Sequence, residues 1–305
     1  MKQLIVNTKN LNFSYNKTKQ DIENLELNIP KGSIYGFLGP NGSGKSTTIR
    51  LMLGLLKKNS GKVALFGETF NNKTRLKILD RVGALIENPS LYDHLDAVDN
   101  LRIAANYRQN ITSNRIDEVL EIVNLTQAKN KKIKEYSLGM KQRLGLAISL
   151  LSNPELIILD EPTNGLDPKG IIEMRTLIKD LNKTYGTTIF ISSHLLSEIE
   201  RTCTHVGIIR NGKMIYQDTV ANLKESKGAS IKLDLEVDKS IEALSVLKKL
   251  KMENISLIDD FLQVEVKNKE EITELIDVLR AEKISIYQVS IKNNLEELFL
   301  SLTEN

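Results

Sequence analysis

The spacing of apolar and polar positions divides the chain into short strands and helices before any motif is considered. Over the first 66 residues it predicts strands at 4–9, 25–29, 33–38 and 62–66, separated by turn residues. A helix-period stretch at 45–53 follows a glycine-rich turn, and Gly54 stands where a C-terminal cap belongs. Residues 82–86 form a further buried-type strand, 97–132 a mostly helical block and 139–151 a helix. The run at 156–159 is continuously apolar, as strands covered on both faces are. Helix 169–185, strand 188–192 and helix 196–203 continue an alternation that argues for a parallel α/β sheet. Asn211-Gly212, between apolar runs at 206–210 and 213–218, predicts a hairpin, since both residues accept positive φ.

The pattern breaks at 225–230, which predicts two domains, 1–225 and 230–305. The second has the order strand 231–237, helix 240–250, strand 255–258, strand 261–266, helix 269–281, strand 284–290. This βαββαβ sequence predicts a small α+β, ferredoxin-like module. A last apolar-periodic segment at 295–302 is expected to dock as a terminal helix.

Composition narrows the function less than the pattern does. A chain of 305 residues with 41% hydrophobic and 27% charged residues is ordinary for a globular protein. Its net charge of +3 gives nucleic acid no electrostatic foothold. The single cysteine, Cys203, excludes an internal disulfide, and the default is a reducing compartment. The first residues turn polar too soon for a signal peptide. The longest apolar run, at 144–151, falls far short of the roughly 20 residues that cross a bilayer. A cytoplasmic protein is expected, with any membrane association made through a partner.

Two stretches carry chemistry. Gly39-Pro40-Asn41-Gly42-Ser43-Gly44-Lys45-Ser46-Thr47 matches G-x-x-x-x-G-K-[ST], between a strand and a helix. Glycines let successive backbone N–H groups curl into an anion nest, and the helix N-terminus adds positive potential. Lys45 is placed to reach the β- and γ-phosphates of a nucleotide, and Ser46 to ligate Mg²⁺. The second stretch is the apolar strand that ends in Asp160-Glu161. Asp160 is expected to hold the Mg²⁺, and Glu161 to orient and deprotonate an attacking water. Each stretch alone could be a plain turn or a solvated strand end; together they point to nucleotide hydrolysis.

The segment Tyr136-Ser137-Leu138-Gly139-Met140-Lys141-Gln142-Arg143 resembles the signature motif of ATP-binding-cassette (ABC) proteins. Gly165-Leu166-Asp167 resembles that family's D-loop, Ser192-Ser193-His194 its switch histidine, and Tyr15 stands where the family stacks an aromatic ring on adenine. The resemblance covers about residues 1–225 and implies a P-loop NTPase fold of the ABC nucleotide-binding type: a parallel sheet core, an antiparallel β subdomain and a helical subdomain. It implies an ATPase that uses Mg-ATP and works as a head-to-tail homodimer, at the cytoplasmic face of a membrane beneath integral permease subunits. Ser137 and the Gly139 backbone would then meet the γ-phosphate held by a second copy, and His194 would contact that phosphate.

Two departures stand out. Leu138 and Met140 replace a glycine and a glutamine of the common signature. Glu87, within Ile86-Glu87-Asn88-Pro89, replaces the glutamine of the loop that meets the permease, where it would still offer an oxygen to metal or water. With Pro89-Ser90-Leu91-Tyr92 it resembles the subfamily that exports bacitracin or lantibiotics for self-protection. The competing classes are a soluble ABC-type regulator uncoupled from transport, and a plain P-loop kinase, which should lack the signature and the switch histidine. The C-terminal module is open between ligand sensor, dimer brace, permease-docking surface and structural cap. His94, His205 and Cys203 receive no role.

Overall fold

The structure, a computed structural model, describes residues 3–16, 20–108, 111–112, 114–225, 231–249, 254–258 and 261–291. The chain divides into two compact units, Met1–Val220 and Ala221–Asn305. The division falls ahead of the pattern break at 225–230, because most of a short helix, Val220–Glu225, groups with the second unit.

In chain order the first unit runs β1 (Leu4–Phe13), β2 (Ile22–Leu25), β3 (Asn28–Pro30), β4 (Ile34–Leu38), α1 (Lys45–Met52), β5 (Ser60–Leu65), β6 (Glu68–Thr69), α2 (Arg75–Leu79), β7 (Val82–Leu85), α3 (Ala97–Ala105), α4 (Arg115–Ile122), α5 (Leu138–Leu150), β8 (Leu156–Asp160), α6 (Pro168–Tyr185), β9 (Thr188–Ser193), α7 (Leu196–Thr202), β10 (His205–Arg210) and β11 (Lys213–Thr219). One sheet is antiparallel, in the order β2-β1-β5-β6, with β3 also paired to β1. β1 outruns its predicted end at residue 9. Asn10 takes φ 45° and the register slips between Lys9 and Asn12, so the strand bends and continues past polar positions that interrupt its alternation. The strand expected at 25–29 is two strands, β2 and β3, which share β1 as partner.

The other sheet has the order β11-β10-β4-β9-β8-β7; it is parallel from β10 to β7, and β11 returns antiparallel. Asn211 (φ 48°) and Gly212 (φ 74°) make that hairpin turn in the left-handed region. β4, β8 and β9 are buried along their whole lengths, which is why 156–159 of β8 reads as an unbroken apolar run; β9 buries Thr188, Ser192 and Ser193 as well. Phe190 on β9 packs against Tyr35 and Phe37 of β4, with ring centroids 5.9 and 5.3 Å apart. Because β4, β7, β8 and β9 are parallel, their C-terminal ends share one edge, where α/β sheets bind ligands.

α1 ends as its sequence predicts: Gly54 is left-handed (φ 66°), Leu55 N–H donates to Arg50 O at 2.8 Å and Gly54 N–H to Leu51 O at 3.2 Å. The helical block at 97–132 resolves into α3 and α4, followed by a 3₁₀ turn at Thr126–Ala128. α5 is apolar around most of its circumference. A Cβ on its Gly145 would come within 2.7 Å of Pro89 Cβ and 2.8 Å of Leu85 Cδ1, so glycine lets α5 seat directly on the end of β7 and the loop after it. Among the described residues no helix is long and apolar enough to cross a membrane.

The second unit contains α8 (Val220–Glu225, in its greater part), β12 (Ile231–Val237), α9 (Ser240–Lys249), β13 (Ile255–Ile258), β14 (Phe261–Val266), α10 (Lys269–Ala281) and β15 (Ile286–Ile291). Its sheet has the order β13-β14-β12-β15 with every neighbour antiparallel, which is the ferredoxin-like arrangement. Leu233, Leu235, Leu262 and Val264 form its core with Ala243, Leu247, Leu275 and Leu279 of the two longer helices. The terminal helix expected at 295–302 lies outside the described residues.

Candidate active site

The loop from Gly39 to Thr47 leaves β4 at its C-terminal end and turns into α1. Gly42 (φ 78°) and Gly44 (φ 108°) adopt left-handed backbone that β-carbons resist, and a Cβ on Gly39 would come within 2.5 Å of Ile209 O. The loop therefore coils tightly ahead of a helix N-terminus, where unpaired backbone N–H groups favour an anion. Lys45 is only 6% exposed; its Nζ donates to Gly39 O at 2.8 Å and to Pro40 O at 3.3 Å, and lies 3.2 Å from Glu161 Oε1. A buried ammonium is thus aimed across the mouth of the loop, with a carboxylate opposite.

β8 delivers Asp160 and Glu161 to the same edge. Asp160 faces Ser192 of β9 across the parallel register. Ser192 Oγ donates to Asp160 Oδ1 at 2.5 Å and accepts from Glu161 N–H at 2.9 Å, so one hydroxyl orients both acidic residues. Glu161 sits at φ 49°, a conformation unusual for a residue with a side chain. That turn swings its carboxylate back between two partners: Lys45 on one oxygen and His194 Nδ1, 2.6 Å away, on the other. Asp160 Oδ2 is buried without a protein hydrogen bond, as is Gln142 Oε1.

These groups border a cleft of about 510 Å³ lined by Asn41, Ser46, Glu87, Asn88, Gln142, Asp160, Glu161, Asn164 and His194. Ser46, Asp160, Glu161, His194 and Glu87, singled out from sequence, therefore meet in one place. Glu87 arrives with left-handed backbone (φ 57°), and its carboxylate is ion-paired with Arg50 on α1. The sequence offers no hint of that pairing. Gln142, Asn88, Asn164 and Ser192 also escape sequence reasoning as site residues. Three of them had an available signal, since Gln142, Asn88 and Ser192 stand inside the stretches that the sequence had already marked around Ser137, Glu87 and His194.

Ser137 and Gly139 do not line the cleft of their own chain. Ser137 caps α5, its Oγ accepting from Met140 N–H at 3.3 Å. Leu138, in place of the family's glycine, is 41% exposed, and a Cβ on Gly165 would approach its Cδ2 to 3.1 Å. The substituted signature residue thus rests on the D-loop. Tyr15 lies beside the phosphate loop: it is 52% exposed, its ring is edge-on to Phe13 at 4.7 Å, and its hydroxyl is 3.4 Å from Thr47 Oγ1.

A glycine-rich phosphate loop on a parallel sheet, faced by a strand-end carboxylate pair, defines a P-loop nucleoside triphosphatase. Residues 22–164 match the protein family described as ABC transporter. The chain is 42% identical over 285 residues to YhcH of Bacillus subtilis, an uncharacterized ABC transporter ATP-binding protein, covering 92% of this chain and 90% of that one. It is 51% identical over 221 residues to the bacitracin transport ATP-binding protein BcrA of Bacillus licheniformis, covering 72% of each. It is 43% identical over 220 residues to the lantibiotic transport ATP-binding protein SrtF of Streptococcus pyogenes, covering 71% of this chain and 93% of that one. Among solved structures, cbiO1 of Clostridium perfringens, part of the transporter complex cbiONQ, superposes with a TM-score of 0.66 at 27% identity, covering 72% and 89% of the two chains. The dimeric ATP-binding cassette MJ0796, bound to ADP and phosphate, gives 0.63 at 25%, covering 70% and 98%. The chain belongs to the family of ABC transporter ATP-binding proteins and is an ATPase of that family.

Proposed function

We propose that the chain is the motor of an exporter: it hydrolyses Mg-ATP and drives separate integral membrane permease subunits that carry bacitracin- or lantibiotic-type peptides out of the cell. The observation that carries the chemistry is the convergence of Lys45, Glu161 and His194 at hydrogen-bond distances on one strand-end edge. In this assignment the loop at 39–47 binds the phosphates and Lys45 neutralises them. Glu161 accepts the proton of the attacking water, and His194 contacts the γ-phosphate. Tyr15, on the loop's flank, serves as the adenine platform.

The residues fit a magnesium ion. Asp160 Oδ2 is a buried oxygen without a protein partner, Ser46 lines the same cleft, and both are hard oxygen donors. Among the described residues no three His, Cys, Asp or Glu side chains gather as a metal site, so two side chains and the nucleotide's own oxygens would share the ion. The ion would supply charge neutralisation at the phosphates, and Glu87, which lines the same cleft, would offer a further oxygen.

Ser137 and Gly139 stand away from their own chain's cleft, which supports a head-to-tail homodimer in which each signature edge closes the other copy's site. Glu87 and the names carried by BcrA and SrtF support the peptide-antibiotic cargo. One experiment addresses both parts. The chain and its permease are expressed in a sensitive bacterium, alongside a Glu161→Gln variant. The native pair is expected to raise tolerance to bacitracin or a lantibiotic. The variant should retain ATP binding, lose turnover by about 10²-fold or more and confer no tolerance. Native-rate hydrolysis by the variant would reject Glu161 as the base, and no tolerance with the native pair would reject the cargo.

A further inference from the structure

Glu161 and His194 belong to different loops, and besides their own contact those loops share a partner on α7. Thr163 Oγ1 donates to Glu198 Oε2 at 2.6 Å, and Ser193 Oγ lies 3.2 Å from the same oxygen in donating geometry. Thr163 sits two residues after Glu161, inside a turn closed by Asn164 N–H donating to Glu161 O at 3.0 Å. Pro162 occupies the second position of that turn, where its restricted φ is at home. Ser193 directly precedes His194 and is 3% exposed; its Oγ also accepts from Leu195 N–H at 3.0 Å, so it is held from both sides of the histidine. A single carboxylate oxygen therefore joins the turn behind Glu161 to the strand end before His194. Hydrogen bonds to an ionised acceptor are the stronger kind.

Glu198 does not border the nucleotide cleft. It lines a separate, small cavity of about 20 Å³ with Pro162, Thr163, Ile199 and Cys203. Ser192 also ties the end of β8 to β9, but it addresses Asp160 and the Glu161 backbone, whereas Glu198 addresses the turn beyond Glu161.

We infer that Glu198 is a positioning residue for hydrolysis, which holds the Glu161 carboxylate and the His194 ring at their 2.6 Å separation through Thr163 and Ser193. The inference rests on the roles proposed above for Glu161 and His194. The phosphate loop is built without Glu198, so nucleotide binding should be indifferent to it while the chemical step is not. A misplacement of about 1 Å can lower turnover by about 10²-fold.

The test uses the full chain with Mg-ATP and measures kcat and KM separately, together with thermal stability. Glu198→Ala is expected to lower kcat by about 10- to 100-fold with KM nearly unchanged and the melting temperature within a few degrees of native. Glu198→Gln keeps an acceptor oxygen and should restore most of kcat, whereas Thr163→Val and Ser193→Ala should each lose part of it. A native kcat in Glu198→Ala overturns the inference. So does an inactive Glu198→Gln, or a loss that appears in KM or in melting temperature instead of kcat. Should Glu198→Ala fail to fold, native kcat in both Thr163→Val and Ser193→Ala overturns it. Glu161→Gln, assayed in parallel, separates the two levels: native-rate hydrolysis there rejects the site assignment itself, while an inactive Glu161→Gln leaves the result at 198 to judge Glu198 alone.

Discussion

At the scale of single residues, the unusual feature of the cleft is its negative charge. Glu87, Asp160 and Glu161 all line it, although it is to receive a polyphosphate. Lys45 answers Glu161, and Arg50 answers Glu87. Arg50 is therefore expected to matter because position 87 is a glutamate. The Glu87 side chain is 64% exposed, so solvent screens most of the interaction and the effect should be about 1 kcal/mol, a several-fold change in Kd. Arg50→Met should weaken Mg-ATP binding by that factor, and Glu87→Gln in the same background should restore it. A double variant that binds as poorly as Arg50→Met alone would reject the charge account. The phosphate loop, Asp160-Glu161 and His194 were legible in the sequence because each is a local string at a strand end. Arg50 with Glu87, Ser192 with Asp160, and Glu198 with Thr163 are pairings across 32 to 37 residues of chain, and only the fold brings them together.

At the scale of elements, α5 joins the parts of the cassette that sequence treats separately. Ser137 caps it and its first turn carries Gly139, Gln142 reaches the cleft, and Gly145 seats against Pro89 and Leu85 beside the Glu87 loop. Gly145→Ala would bring a new Cβ within 2.7 Å of Pro89 Cβ and so force a shift. The expected cost is about 1–3 kcal/mol, read as a lower denaturation midpoint together with a changed ATPase rate. A variant with native stability and rate would show that the contact yields freely. The alternation of strands and helices was legible, since β4, β8 and β9 are buried along their whole lengths and each carries an apolar stretch. Where the pattern misled, backbone geometry had overridden it: β1 continues through the left-handed Asn10, and the single strand expected at 25–29 is β2 and β3 with a break between them.

At the scale of the whole molecule, the second unit has a core of its own, built from β12, β14, α9 and α10. Leu235 lies at its centre and is fully buried. Leu235→Ala is expected to remove about 2–5 kcal/mol of that unit's stability, read as lost amide-exchange protection in β12 and β14. Unchanged protection would place the core elsewhere. The left-handed turn at Glu161 also has a bearing on the molecule's durability. A side chain held at φ 49° sacrifices on the order of 1 kcal/mol that glycine would recover. Selection for heat resistance alone would weigh that backbone relief only against the loss of the carboxylate facing Lys45, and neither quantity depends on turnover. Any programme to toughen this chain must reward turnover as strictly as survival.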